Sequence, residues 1–131
     1  MGLDNSIEVK RTPFSTNLKE LQPYAMTWDD KKQFDFEIAY WRKCWNVRAA
    51  ILNCLDKEVN NYSVPLSVAE IDRIIEALKG FNKKNWEDMG SSIWTWQEQK
   101  PWLKEAIKNL EQLKKLMEKY PELEVVFVDS Y

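Results

Sequence analysis

The sequence predicts an α+β fold: a single domain with a small sheet of about three strands packed with three helices. Three observations carry that expectation. Residues 6–10, 34–39 and 125–128 have the period or composition of strands. Residues 66–80 carry a complete set of helix start, face and stop signals. The composition, 44% hydrophobic and 31% charged with three glycines in 131 residues, is that of a folded globular chain of one-domain length.

The elements follow in order. Ile7 and Val9 alternate with polar neighbours, as in a half-buried strand. Residues 11–33, with Pro13, Asn17 and Pro23 among sparse apolar positions, read as an irregular surface loop with one helical turn near residues 18–21. In QFDFEIAYW, Phe34, Phe36 and Ile38 face one way and Asp35 and Glu37 the other, which predicts a second strand.

From residue 40 to 59 the period turns helical. One stripe carries Trp41, Trp45, Arg48, Leu52, Leu55 and Val59, and its neighbour carries Tyr40, Cys44, Val47, Ile51 and Cys54. Arg42, Asn46 and Asn53 fall on the polar side. Next, Ser67 and Glu70 form a capping box, with Leu66 and Ile71 at the staple positions. Ile71, Ile74, Ile75 and Leu78 make the apolar face, and Gly80 suits a left-handed stop.

A polar linker follows Phe81. In SSIWTW, Trp94 and Trp96 alternate with Ile93 and Thr95 like an extended segment, while Thr95 with Glu98 offers a second capping box. Pro101 fits the first position of a helix better than its interior, which sets the third helix at residues 101–120. Leu103, Ile107, Leu110, Leu113 and Met117 form its buried stripe, and Pro121 ends it. The unbroken run Val125 to Val128 predicts the third strand, in the middle of the sheet.

Several function classes are disfavoured. A net charge of −2, from 19 basic and 21 acidic residues dispersed along the chain, supplies no clustered positive footprint for long nucleic acid. No apolar run reaches the length of a membrane span, and the start of the chain has neither a basic leader nor a hydrophobic signal region. The expected location is therefore the cytoplasm. MGLDNS matches the N-myristoylation pattern through Gly2 and Ser6, but no polybasic patch follows as a second anchor.

Cys44 and Cys54 lie about 15 Å apart along the predicted helix, too far to pair, and read as reduced thiols. The chain has no histidine and no CxxC, so no metal or cofactor is expected, and the commonest general base is missing. Its isolated glycines form no phosphate loop. Asp29 with Asp30, and Asp35 with Glu37, read as solvated loop and strand charges. The expectation is a binding protein, not an enzyme.

The stretch YWRKCW is the candidate site. Arg42 and Lys43 fall in the first turn of the predicted helix, where the helix dipole disfavours cations by a few tenths to about 1 kcal/mol each. Asp35 and Glu37 could offset that, or a bound anion could, held by helix N–H groups, the Arg fork and aromatic faces. Arg48 either stacks on an indole or snorkels at the core rim. Trp94 and Trp96 wall the same cleft, cover a subunit interface or lie at the core edge. The candidate ligand-binding set is thus Tyr40, Trp41, Arg42, Lys43, Trp45, Arg48, Trp94 and Trp96.

The stretches MGLDNSIEVK, AYWRKCW, VPLSVAEIDRIIEAL and VVFVDSY, in that order along the chain, resemble a group of small phage-encoded proteins with an N-terminal MGLD and a central YWRK. The chain departs from that group's pattern at Cys44 and Trp45, at Arg48 and at Tyr131. The resemblance implies a phage or prophage accessory protein in the cytoplasm of an infected or lysogenic bacterial host. Two ways of countering host defence are open to it. One is to sequester a small anionic, nucleotide-type ligand. The other is to act as a protein-protein interaction module that inhibits a host protein or self-assembles as a homodimer or higher homo-oligomer.

Overall fold

Alternation of apolar and polar residues along the N-terminal and middle segments, and the unbroken apolar run of residues 125–128, build the three inner strands of an antiparallel sheet. In the computed structural model these are β1 (Asp4–Val9), β3 (Lys32–Arg42) and β5 (Val125–Ser130). Two short edge strands, β2 (Ala25–Trp28) and β4 (Ser63–Pro65), complete the order β2-β3-β1-β5-β4. The structure describes residues 4–28, 32–55, 63–90 and 93–130, and the side chains at 26–28 and 32–34 fall outside the description. The fold is α+β. The three predicted strands are the middle three of five, and β1 rather than β5 is central.

The helices are α1 (Pro13–Thr16), α2 (Trp45–Leu52), α3 (Val68–Lys79), α4 (Lys83–Met89) and α5 (Trp96–Lys119), with a 3-10 segment at Lys19–Tyr24. Residues 11–33 are therefore not one irregular loop. Thr12 and Ser15 cap α1 reciprocally, Leu21 of the 3-10 segment is fully buried, and β2 pairs with the first half of β3.

The core is a sheet face of Ile7, Val9, Phe36, Val125 and Phe127 under Ile71, Ile74, Ile75 and Leu78 of α3 and Leu103, Leu110 and Leu113 of α5. Ser67 and Glu70 make both bonds of the capping box, at 3.2 and 3.0 Å. Gly80 caps α3 with φ −75°, in the right-handed region, so the left-handed stop expected there is absent. That role falls to Gly90 (φ 63°), which ends α4. The polar segment after Phe81 is itself helical, started by an Asn82–Asn85 capping box and tied down by buried Trp86.

α5 starts earlier than Pro101 suggests. Thr95 and Glu98 make a full capping box, and Pro101 lies inside the helix. The proline removes one intrahelical bond, to the carbonyl of Gln97. Gln97 is exposed, so water can take that bond. Two capping bonds and the packing of Trp96 against Trp86 (centroids 6.0 Å apart) offset the loss.

The largest departure lies between residues 40 and 59. α2 spans only Trp45–Leu52. Tyr40, Trp41 and Arg42 belong to β3, while Cys44 precedes the helix and Cys54 follows it. Both cysteines are free thiols, Cys44 buried and Cys54 partly so. Asn46, expected on the polar side, is fully buried and donates to the Trp86 carbonyl at 3.2 Å. Val59 lies outside the described residues.

Candidate functional site

A single extra residue organises the site. Ile7 pairs with Ala39 and Glu8 with Glu37, so Ile38 has no partner on β1 and forms a bulge. The bulge reverses the parity of the rest of β3. Ile38 and Ala39 are both buried, Trp41 turns into the core, and Tyr40 and Arg42 are exposed. Without the extra residue, the alternation begun by Phe36 would send Tyr40 and Arg42 inward and Trp41 outward.

α5 runs along this half of β3. From Gln99 to Asn109 it rises about 15 Å, enough to span the roughly 13 Å from Ile38 to Arg42. Asn109 Nδ2 donates to the Ile38 carbonyl at 3.2 Å, and Trp94 Nε1 donates to the Arg42 carbonyl at 2.7 Å. Between these two bonds lies a cavity of about 230 Å³, bordered by Tyr40, Trp41, Arg42, Trp94, Gln99 and Trp102. Its walls are mostly aromatic carbon.

Its few polar groups are distinct in kind. The Tyr40 hydroxyl donates to Asp4 Oδ1 at 2.7 Å. Burial first, then that hydrogen bond and the Asp4 charge, push its pKa up to about 12, so it stays a phenol. Arg42 is exposed, and no ion pair from a described residue reaches its guanidinium. Gln99 is 6% exposed, and its amide oxygen is buried without a hydrogen bond among the described residues.

Of the eight residues predicted for a ligand site, Tyr40, Trp41, Arg42 and Trp94 meet at this cavity. Lys43, Trp45, Arg48 and Trp96 do not border it. Lys43 occupies a left-handed turn (φ 52°) between strand and helix, so neither it nor Arg42 stands in a first helical turn, and the dipole argument for an anion does not apply. Arg48 makes a two-pronged salt bridge to Asp129, Nε to Oδ1 and Nη2 to Oδ2, both 2.9 Å. Its guanidinium also lies 5.4 Å from the Trp45 ring centre. Trp96 packs on Trp86 instead.

Asp35 and Glu37 do not neutralise the cations. Asp35 accepts from the Arg11 main-chain N–H at 3.0 Å. Glu37 faces Glu8 across the strands, and burial followed by that like charge raises its pKa. Asp129 is held below the usual carboxylate range. Burial opposes its ionisation, but hydrogen bonds from Arg48 and Asn5 and the Arg48 charge together outweigh it.

Gln99 and Trp102 are the site residues that sequence reasoning missed. They stand three apart on α5 and so share a face. Trp102, just before the apolar stripe that starts at Leu103, was the available signal and lay inside the predicted helix, while starting that helix at Pro101 left Gln99 outside it. Among the described residues no group of three or more His, Cys, Asp or Glu could hold a metal ion, and no helix is long and apolar enough to cross a membrane. No protein family, curated protein or solved structure matches the chain.

Proposed function

We propose that the protein acts by binding, without catalysis, and that its ligand is a small anion bearing a flat ring, of the nucleotide type. One observation carries this reading: Tyr40, Trp94 and Trp102 surround a cavity whose rim holds the guanidinium of Arg42, which no ion pair from a described residue reaches. Aromatic walls favour a planar ring, and an exposed Arg fork favours a phosphate or carboxylate. At about 230 Å³ the cavity is smaller than the roughly 300–1,000 Å³ of sites that enclose a whole drug-sized ligand. The ring would therefore enter and the charged part would rest across the rim. The resemblance to small phage-encoded proteins supports a setting in the cytoplasm of a bacterial host, where removing a nucleotide-type signal would counter defence.

A second reading, a protein-interaction or self-assembling module, is favoured by Trp102 and Ile93, which are 66% and 68% exposed. Thermal-shift titration separates the two. Nucleoside monophosphates and 1-naphthyl phosphate should raise the melting temperature progressively, with the logarithm of concentration above the dissociation constant, and Arg42→Ala should abolish the rise. No shift with any of these anions, together with a dimer in native mass spectrometry that Trp102→Ala dissociates, would replace the first reading with the second.

A further inference from the structure

The cavity is bordered on one side by strand edge, and the alternation of β3 determines which main-chain groups face it. Among the described residues β2 pairs with β3 only from Lys32 to Phe36, so beyond Ile38 no described strand lies beside the outer edge of β3. Lys10 N donates to the Glu124 carbonyl, at 2.8 Å. Along β1, then, Glu8, Ser6 and Asp4 direct their main-chain groups to β5, while Asn5 and Ile7 direct theirs to β3. Their partners Trp41 and Ala39 turn inward to meet them. Ile38, Tyr40 and Arg42 therefore turn outward, towards α5. The bonds from Asn109 to Ile38 and from Trp94 to Arg42 agree with that assignment.

Tyr40 stands between those two capped carbonyls. No hydrogen bond from another described residue reaches its main-chain N–H or C=O on this side. A donor and an acceptor thus lie side by side at the mouth of the cavity, where a ligand that covers them must pair them or leave them without water. The gap is one residue wide. An extended peptide cannot zip onto it, because Asn109 and Trp94 already occupy the neighbouring ladder positions. A flat heterocycle with one donor and one acceptor on the same edge can. Gln99, nine-tenths buried and with its amide oxygen unpaired among the described residues, borders the same space from α5.

Resting on the binding reading above, we infer that the ring is a nucleobase-type heterocycle whose donor–acceptor edge pairs with the Tyr40 main chain, with the Gln99 amide meeting a second polar group of the ring. These groups have no partners among the described residues, which favours such a ring over a merely flat anion. A ligand that lacks the edge leaves them unpaired, which amounts to about a tenfold loss in affinity per group.

The test titrates the full chain with the adenosine, guanosine, cytidine and uridine 5′-monophosphates and with 1-naphthyl phosphate, a flat anion with no such edge. At least one nucleotide should bind about tenfold or more tightly than naphthyl phosphate. It should also move the Tyr40 amide resonance in a ¹H–¹⁵N spectrum, where naphthyl phosphate does not. Gln99→Leu, or Gln99→Glu if the first variant unfolds, should narrow the ratio between the two ligands. Equal affinities with an unmoved Tyr40 amide would overturn the inference and leave the ring-anion reading standing. Absence of binding by all five probes at millimolar concentration would overturn both.

Discussion

Two polar clusters flank the same end of the sheet and differ in how they are finished. At one, Arg48 and Asn5 both donate to Asp129 at 2.7–2.9 Å, the Asp129 side chain is 4% exposed, and both charges are paired, although the Asn5 amide oxygen is buried without a partner among the described residues. At the other, the Arg42 guanidinium, the Tyr40 main chain and the Gln99 amide oxygen surround a cavity and lack partners among the described residues. Arg42 and Arg48 are six positions apart in sequence, yet one is consumed by the fold and the other is left over. A charged residue among aromatics is evidence for a ligand only after the protein's own acids have been counted.

The largest expected effect tests the closed cluster. Asp129→Ala strands a partly buried guanidinium and should cost about 3 kcal/mol in denaturant unfolding, whereas Arg42→Ala, on an exposed side chain, should change stability by less than about 0.5 kcal/mol. If the two costs proved equal, the contrast between a consumed and a spare arginine would be lost. Between these extremes, Lys43→Gly should stabilise the fold by about 1 kcal/mol, because a left-handed φ of 52° strains a residue with a Cβ. An unchanged or lowered denaturation midpoint would show that the turn is not strained.

The carboxylates sharpen the contrast through pH, with opposite signs. Asp129 has a depressed pKa in the fold, so its stabilisation is present above the ordinary Asp value near 4 and is lost as pH falls through the folded value. Glu37 has a raised pKa, so its charged form weakens the fold at neutral pH, and that penalty disappears as pH falls through the folded value to the ordinary Glu range. Glu37→Gln should therefore stabilise by a few tenths of a kcal/mol at pH 7 and by nothing near pH 4. Urea melts at both pH values check it, and a gain that persisted at pH 4 would rule out the charge as its cause.

Much of the fold was legible because its signals are local. The alternation of Ile7 and Val9, the Ser67–Glu70 box and the Leu103 to Met117 stripe each fit within one element, and all three are found where they were read. The misread region was YWRKCW. A strand that gains one residue at Ile38 loses its alternation there, so Trp41 fell in step with Trp45 and Arg48, and Tyr40 with Cys44 and Val47, and the end of the strand read as the onset of a helix. Helix α4 was missed because only Trp86 of its seven residues is buried, so it shows no apolar face.

By itself the sequence determined the class of fold, the inner strands, the best-capped helix and the presence of aromatics with cations near residue 40, since each depends on neighbours within a few positions. Tertiary structure alone decided which arginine remained available. Asp129 lies 81 residues from Arg48, and Gln99 lies 59 from Tyr40. Whether a polar group is satisfied depends on what the folded chain brings within about 3 Å of it, and no pattern along the chain encodes that distance.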